Sequence, residues 1–173
     1  MEFISLDLEG VFGITGESFS DPRGILTRIW DSDSMPGNFK LNQGSFVSNP
    51  LKGTLRGLHY QENPFSENKI IICTSGKVFD VILDLREDSA TFGVHLEIEL
   101  GPEETYLGLF VPAGFAHGYL TLEQNSSLVY FMDKEYSPNY SRGILWSDAN
   151  ISINWPIEPV LISERDTNWP GLT

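Results

Sequence analysis

Residues 94–100 read Val94-His95-Leu96-Glu97-Ile98-Glu99-Leu100, and apolar and polar side chains alternate through this stretch without interruption. A two-residue period is typical of a β-strand that buries one face and exposes the other to water. Residues 77–85 alternate in a similar way. Both stretches therefore predict strands, each with one wet face.

Turn-forming residues separate the apolar stretches along the whole chain. The 16 Gly and 10 Pro are spread widely, and turn signals stand at residues 49–50, 75–76, 101–102 and 112–114. Many short strands joined by tight turns indicate an all-β fold, either a double-sheet jelly roll or a small barrel. Only residues 31–37 and 163–169 are predicted to hold a helical turn. No repeat or linker is found, so residues 1–173 are predicted to form a single domain.

Composition excludes several classes of protein. A net charge of −13, from 24 acidic and 11 basic residues, repels phosphate backbones and argues against a nucleic-acid partner. An anionic small substrate would need a local group of Arg and Lys side chains. Neither a signal peptide nor a run of ~18 apolar residues is present, so a cytoplasmic protein without a membrane span is expected. The single cysteine, Cys73, lies in an apolar run and is expected to be a buried thiol.

Three histidines are candidates for chemistry. His95 alternates outwards with two glutamates, so we interpret it as a surface residue. His59 and His117 lie in predicted strands, and each is compatible with a core position or a functional one. A jelly-roll metal site commonly uses a His-x-His pair together with a carboxylate, and no such pair exists here. We therefore expect no metal.

A predicted strand near residues 127–136 carries an unusual mixture of side chains. Strand alternation puts Leu128, Tyr130, Met132, Lys134 and Tyr136 on one face. Two phenols and an ammonium suit a pocket for a polar ligand, although tyrosines at the rim of a core would give the same pattern.

Several longer motifs occur together and in a defined order. They are residues 52–61 (KGTLRGLHYQ), 76–86 (GKVFDVILDLR), 91–93 (TFG), 111–118 (VPAGFAHG), 136–138 (YSP), 142–146 (RGILW) and 153–156 (INWP). Between about residues 19 and 169 the chain resembles the dTDP-4-dehydrorhamnose 3,5-epimerase family. The resemblance implies a cupin jelly roll without cofactor that inverts carbons beside the keto group of a nucleotide-linked 4-keto-6-deoxyhexose in deoxysugar biosynthesis. It also implies a homodimer in which an N-terminal strand of one subunit lines the partner's pocket.

The resemblance assigns roles to particular residues. His59 resembles the catalytic base and Asp166 its paired carboxylate, while Tyr130 resembles the proton donor and Lys69 the lysine near the keto oxygen. The predicted substrate-binding residues come from the resemblance and from positions next to these motifs. They are Arg23, Arg28, Gln43, Ser45, Arg56, Gln61, His117, Lys134 and Tyr136.

The chemistry of the reaction agrees with these roles. Removing a proton next to a carbonyl needs a positioned base and a cation for the enolate oxygen. Inversion then needs an acid on the opposite face, on a different strand from His59. Arg56 and His59 are three residues apart, so an undistorted strand would point them to opposite faces. If both reach the substrate, we expect a bulge at Gly57.

Some positions depart from the family pattern. Arg28 stands where the family has Glu, and Ser45 where it has Asn. A charge reversal at a base-reading position would change nucleotide preference, so a CDP-linked sugar is an alternative to a dTDP-linked one. Inversion at C3, at C5 or at both is left open. A catalytically silent sugar-nucleotide binding protein and a metal-dependent cupin enzyme are the alternatives from other classes.

Overall fold

The computed structural model describes residues 1–172, and nearly all of its regular structure is strand. The strands are β1 (Glu2–Ser5), β2 (Phe12–Thr15), β3 (Glu17–Asp21), β4 (Gly24–Arg28), β5 (Gln43–Asn49), β6 (Thr54–Gln61), β7 (Lys69–Ser75), β8 (Val78–Asp84), β9 (His95–Leu100), β10 (Gly108–Val111), β11 (Phe115–Thr121), β12 (Ser126–Met132), β13 (Ser141–Gly143) and β14 (Leu161–Ile162). A 3₁₀ turn at Ser32–Ser34 and the helix α1 (Glu164–Thr167) lie within the two predicted helical segments.

Two sheets form the body of the molecule. One has the strand order β1-β2-β10-β7-β12-β5, and the other has the order β13-β6-β11-β8-β9 with β14 added in parallel to β6. Neighbouring strands in the sheets are otherwise antiparallel. The predicted all-β, double-sheet architecture of the jelly-roll type is therefore confirmed.

The core between the sheets is apolar because each sheet contributes one face to it. Ile71, Leu109 and Leu128 from the first sheet pack with Val78 and Ile82 from the second. Cys73 lies in the same core with no exposed surface, as expected for a buried thiol.

The outer faces of both sheets are also covered. Residues 144–155 pack on Val81 and Leu83 of β8, and residues 29–39 pack on Ile70 and Ile72 of β7. The expectation of one wet face for residues 77–85 is therefore wrong, since no residue of β8 is exposed. Alternation identified the strand but not the second apolar layer that covers it.

A two-stranded hairpin, β3–β4, stands apart from the sheets. Its side chains are mostly exposed, including Phe19 (53%), Ile25 (73%) and Leu26 (66%). An exposed apolar ribbon of this kind is typical of a surface that another chain covers. Among residues 1–172, no helix is long and apolar enough to cross a membrane.

Candidate active site

A cavity of about 770 Å³ opens where the two sheets face each other. Its walls come from β5, β7 and β12 of one sheet and from β6 and β11 of the other, and the segment 161–166 closes one side. His59 and Tyr130 line this same cavity from opposite sheets. The structure therefore brings the two residues to opposite walls of one cavity. An acid and a base that act on two faces of one substrate need this arrangement.

His59 is paired with a buried carboxylate. Its Nε2 lies 2.6 Å from Asp166 Oδ1, and the Asp166 side chain is almost fully buried. Asp166 is held in place by α1, because the Ser163 hydroxyl caps that helix by accepting the Asp166 backbone N–H at 3.1 Å. With Nε2 committed to Asp166, Nδ1 of His59 is left for a ligand.

Asp166 is held as an anion by several donors. Burial alone would raise the pKa of Asp166, but the hydrogen bond and charge of His59, with the Gly57 backbone N–H and the Trp169 indole, hold it below its usual value. A carboxylate that accepts three donors is both oriented and charged. It therefore orients the His59 ring and stabilises the imidazolium that forms when this ring takes up a proton.

A bulge in β6 brings Arg56 and His59 to one cavity. In the pairing of β6 with β11, His59 faces His117 but Arg56 faces Tyr119, so two residues of β6, Gly57 and Leu58, oppose the single Gly118 of β11. Gly57 has φ +133°, and a Cβ there would lie 2.5 Å from the Gly118 Cα, so only glycine fits. The structure therefore has the bulge that the sequence predicted if both residues were to line the cavity.

Lys69 is a buried cation in the cavity wall. Its Nζ lies 2.9 Å from Glu67 Oε1 and donates to the His59 carbonyl at 3.2 Å. An ammonium has three N–H groups, so one remains for a substrate oxygen. Gln61 donates to Glu67 Oε2 at 2.9 Å and accepts the Ser137 N–H at 2.6 Å, which ties this wall to the loop that follows β12.

His117 forms a second imidazole–carboxylate pair deeper in the site. Its Nε2 lies 2.8 Å from Asp80 Oδ2, and both side chains are buried. Burial raises the pKa of Asp80, against the opposing effects of His117 and Lys69. The His117 ring packs edge-on against Tyr130 with 6.0 Å between ring centroids.

Four further sequence-predicted binding residues also line the cavity. They are Gln43, Ser45, Gln61 and Tyr136. Tyr136 is held by Arg165, whose Nη1 donates to its hydroxyl at 3.3 Å, and this hydrogen bond lowers the pKa of Tyr136.

Three predicted binding residues lie outside the cavity of their own chain. Lys134 follows the end of β12 and is exposed, so its placement in the cavity by strand alternation is wrong: the strand stops at Met132. Arg23 and Arg28 lie on the projecting hairpin, where Arg23 pairs with Asp21 and Arg28 with Glu17 and Asp31. Neither arginine lines the cavity of its own chain.

The sequence analysis missed Glu67, Asp80 and Arg165. Arg165 lines the cavity, and its guanidinium lies 4.8 Å from the centre of the Trp169 ring. Arg56, Lys69 and Arg165 together form the local cationic surface that an anionic substrate would need. Arg165 directly precedes Asp166, and Glu67 lies two residues before Lys69. This nearness in sequence to predicted site residues was the available signal for both. Asp80 gave none, because it reads as a polar position of an alternating strand.

The residues present do not resemble a metal centre. Within residues 1–172, no group of three or more His, Cys, Asp or Glu side chains is arranged to hold a metal ion. Each imidazole in the cavity is instead paired with one carboxylate.

Comparison with known proteins shows the family. A model of the dTDP-4-dehydrorhamnose 3,5-epimerase family matches residues 5–173. The dTDP-4-dehydrorhamnose 3,5-epimerase of Shigella flexneri is 44% identical over 172 residues, which are 97% of this chain and 94% of that protein.

Solved structures share the fold over the whole chain. The Bacillus anthracis dTDP-4-dehydrorhamnose 3,5-epimerase, crystallised with TDP and PPi, has a TM-score of 0.93 and 32% identity over 99% of both chains. A 3'-monoepimerase from Streptomyces bikiniensis, in complex with dTDP-quinovose, has a TM-score of 0.87 and 30% identity over 96% of this chain and 85% of the other. The chain therefore belongs to the dTDP-4-dehydrorhamnose 3,5-epimerase family, and it is a sugar-nucleotide isomerase of deoxysugar biosynthesis.

Proposed function

We propose that this enzyme inverts a carbon next to the keto group of a dTDP-linked 4-keto-6-deoxyhexose, with His59 as base and Tyr130 as acid. The observation that carries the proposal is the position of these two side chains on opposite walls of one cavity, which Lys69 also lines. Two faces of a planar enolate must be reached for inversion, and the two sheets supply one group to each face.

The first step removes a proton. Nδ1 of His59 takes the proton from the substrate carbon, and the electron pair of the C–H bond moves into the enolate. Asp166 stabilises the imidazolium because its carboxylate lies 2.6 Å from Nε2. Lys69 donates its remaining N–H to the enolate oxygen, which carries more charge in the transition state than in the ketone.

The second step returns a proton from the other side. Tyr130 gives its phenolic proton to the same carbon, and the configuration at that carbon is inverted. Burial raises the pKa of Tyr130 well above its usual value, so the phenol keeps its proton at neutral pH. Arg56 and Arg165, which both line the cavity, would hold the diphosphate.

The test is hydrogen exchange in deuterium oxide with dTDP- and CDP-4-keto-6-deoxyglucose, followed at C3 and C5 by NMR. We expect washout with the dTDP sugar, none in His59→Asn, and exchange with impaired inversion in Tyr130→Phe. Faster reaction of the CDP sugar would reject the nucleotide assignment. Ligand binding without any exchange would instead support a silent binding protein. Label at one carbon only would identify a mono-epimerase.

We also propose a homodimer in which the β3–β4 hairpin of one subunit covers the pocket of the other. The hairpin exposes apolar side chains, and β5, the edge strand that contributes Gln43 and Ser45 to the cavity, exposes Phe46 (68%). Pairing of a partner hairpin along β5 would bury these surfaces and bring Arg23 and Arg28 to the mouth of the pocket.

Subunit mixing tests this arrangement. Homodimers of His59→Asn and of Arg23→Ala should each be weakly active or inactive. A mixed dimer contains one pocket with an intact His59 and with Arg23 supplied by the partner, so activity should return on mixing. No recovery after verified subunit exchange would show that Arg23 acts within its own chain or not at all.

A further inference from the structure

Glu67 is a buried carboxylate in the cavity wall to which the proposed mechanism assigns no step. The residue is 7% exposed, and its Oε1 lies 2.9 Å from Lys69 Nζ. A buried ion pair contributes little net stability, because the cost of removing two charges from water offsets their attraction. Stability alone therefore does not account for this pair, and both of its members line the cavity.

The orientation of Glu67 is fixed by Gln61. Gln61 Nε2 donates to Glu67 Oε2 at 2.9 Å, while Gln61 Oε1 accepts the Ser137 backbone N–H at 2.6 Å. The same Nε2 lies 3.0 Å from the Phe65 carbonyl oxygen and 3.1 Å from that of Glu135. Both amide hydrogens of Gln61 therefore have acceptors within the protein, and the amide cannot turn over without losing them.

The chain next to Glu67 is anchored as well. The Asn68 backbone N–H donates to Asp133 Oδ1 at 2.8 Å, and the Asp133 backbone N–H donates to the Asn68 carbonyl at 3.3 Å. The Ala113 backbone N–H donates to Asn68 Oδ1 at 3.0 Å. Glu67 therefore stands on a segment that is tied to the residues following β10 and β12.

Glu67 and the His59 carbonyl together take two of the three N–H groups of Lys69. The His59 carbonyl accepts from Lys69 Nζ at 3.2 Å. An ammonium is tetrahedral, so two fixed N–H bonds leave a single direction for the third. Asp80, whose buried carboxyl also interacts with the charge of Lys69, is committed to His117 at 2.8 Å. Glu67 is therefore the anion that orients Lys69.

We propose that Glu67 is a positioning residue for Lys69: held by Gln61, its carboxylate keeps the ammonium charged and directs the third N–H to the enolate oxygen. The inference rests on the proposed role of Lys69 as the cation at that oxygen. No proton passes between Glu67 and Lys69. His59 takes the proton of the substrate, and Lys69 keeps all three of its own while it hydrogen-bonds the developing charge.

Glu67→Gln tests the inference, with Glu104→Gln as the matched control. Gln has the shape of Glu without its charge, and Glu104 pairs with Lys77 at 2.6 Å outside the cavity lining. We expect Glu67→Gln to lower kcat for deuterium exchange about five- to tenfold, the difference between a charge-assisted and a neutral hydrogen bond. KM should stay within about twofold, because Lys69 acts more strongly on the enolate than on the ketone. Glu104→Gln should change neither quantity.

Chemical rescue separates the charge of Glu67 from its packing. Glu67→Ala leaves space beside Lys69 at the cavity wall, and it should slow exchange about ten- to hundredfold. Formate, a carboxylate small enough to enter, should then accelerate exchange, whereas formamide, which is neutral and of similar shape, should not. Formate should accelerate neither the unchanged enzyme nor Glu67→Ala combined with Lys69→Met, since the latter has no ammonium to orient.

A folded Glu67→Gln enzyme that exchanges at the unchanged rate or faster would overturn the inference, and so would a rise in KM with kcat unchanged. Rescue of Glu67→Ala by both additives, or by neither, would also overturn it. If Glu67→Ala does not fold in a thermal melt, Glu67→Gln alone decides. Absence of exchange in the unchanged enzyme, or full-rate exchange in Lys69→Met, would instead reject the proposed function, so the two failures are distinguishable.

Discussion

Replacing Asp166 by Asn isolates the contribution of one negative charge to proton abstraction. In the structure the Asp166 carboxylate accepts from three donors: His59 Nε2 at 2.6 Å, the Trp169 indole at 3.3 Å and the Gly57 backbone N–H at 3.3 Å. An amide has only one acceptor oxygen. Whichever way Asn turns, its NH₂ group faces at least one of these donors.

The magnitude follows from the two orientations. If the amide oxygen faces His59, a charge-assisted hydrogen bond becomes a neutral one, and the difference between the two is about 1–1.5 kcal/mol. At about 1.36 kcal/mol per factor of ten, the exchange rate falls by about five- to tenfold. If the NH₂ group faces His59 instead, Nε2 must accept, and Nδ1 then carries the proton and cannot act as base. The fall would be larger in that case.

The assay is the initial rate of deuterium incorporation from solvent at saturating substrate, with a thermal melt of each variant. Asp148→Asn is a matched control, because Asp148 also accepts backbone N–H groups but does not line the cavity. It should react at the unchanged rate. An Asp166→Asn enzyme that folds and exchanges within twofold of the unchanged enzyme would refute the reasoning, since the carboxylate would then not assist His59.

Three further changes test other parts of the molecule. Lys69→Met should slow exchange by about 10²- to 10³-fold through loss of the cation at the enolate. It should also lower the free energy of unfolding by about 3–5 kcal/mol, because Glu67 is left buried without its partner. Adding Glu67→Gln should recover stability but not rate. Gly57→Ala should lower stability by at least about 2 kcal/mol in chemical denaturation, because the residue has φ +133° and its Cβ would meet the Gly118 Cα; an unchanged midpoint would contradict the tight bulge. Asp84 is buried, which alone would raise its pKa, but Arg86, Thr91 and Ser89 hold that pKa below its usual value. The contribution of Asp84 to stability is therefore complete above about pH 4 and is lost as pH falls. Asp84→Asn should destabilise the protein at pH 7 and flatten the acid side of its stability curve.

The sequence by itself was sufficient for the architecture and for the main candidates at the site. Strand alternation in residues 94–100 and the turn signals predicted an all-β fold, either a double-sheet jelly roll or a small barrel, because the periodicity of side-chain burial is a local property of a strand. The resemblance to the family, which the ordered motifs carry, implied His59, Lys69, Tyr130 and Asp166 as a set. Even the bulge at Gly57 was predictable, from the conflict between strand geometry and the spacing of Arg56 and His59.

The tertiary structure alone decided which polar groups meet. The Asp80–His117 pair joins residues 37 apart and the Tyr119–Asn49 hydrogen bond residues 70 apart, and no local pattern distinguishes them from other polar positions on alternating strands. Alternation also assigned Lys134 to the cavity, whereas β12 ends at Met132. Periodicity determines which way a side chain points, but its partners depend on what packs against that face, and that depends on contacts between distant parts of the chain.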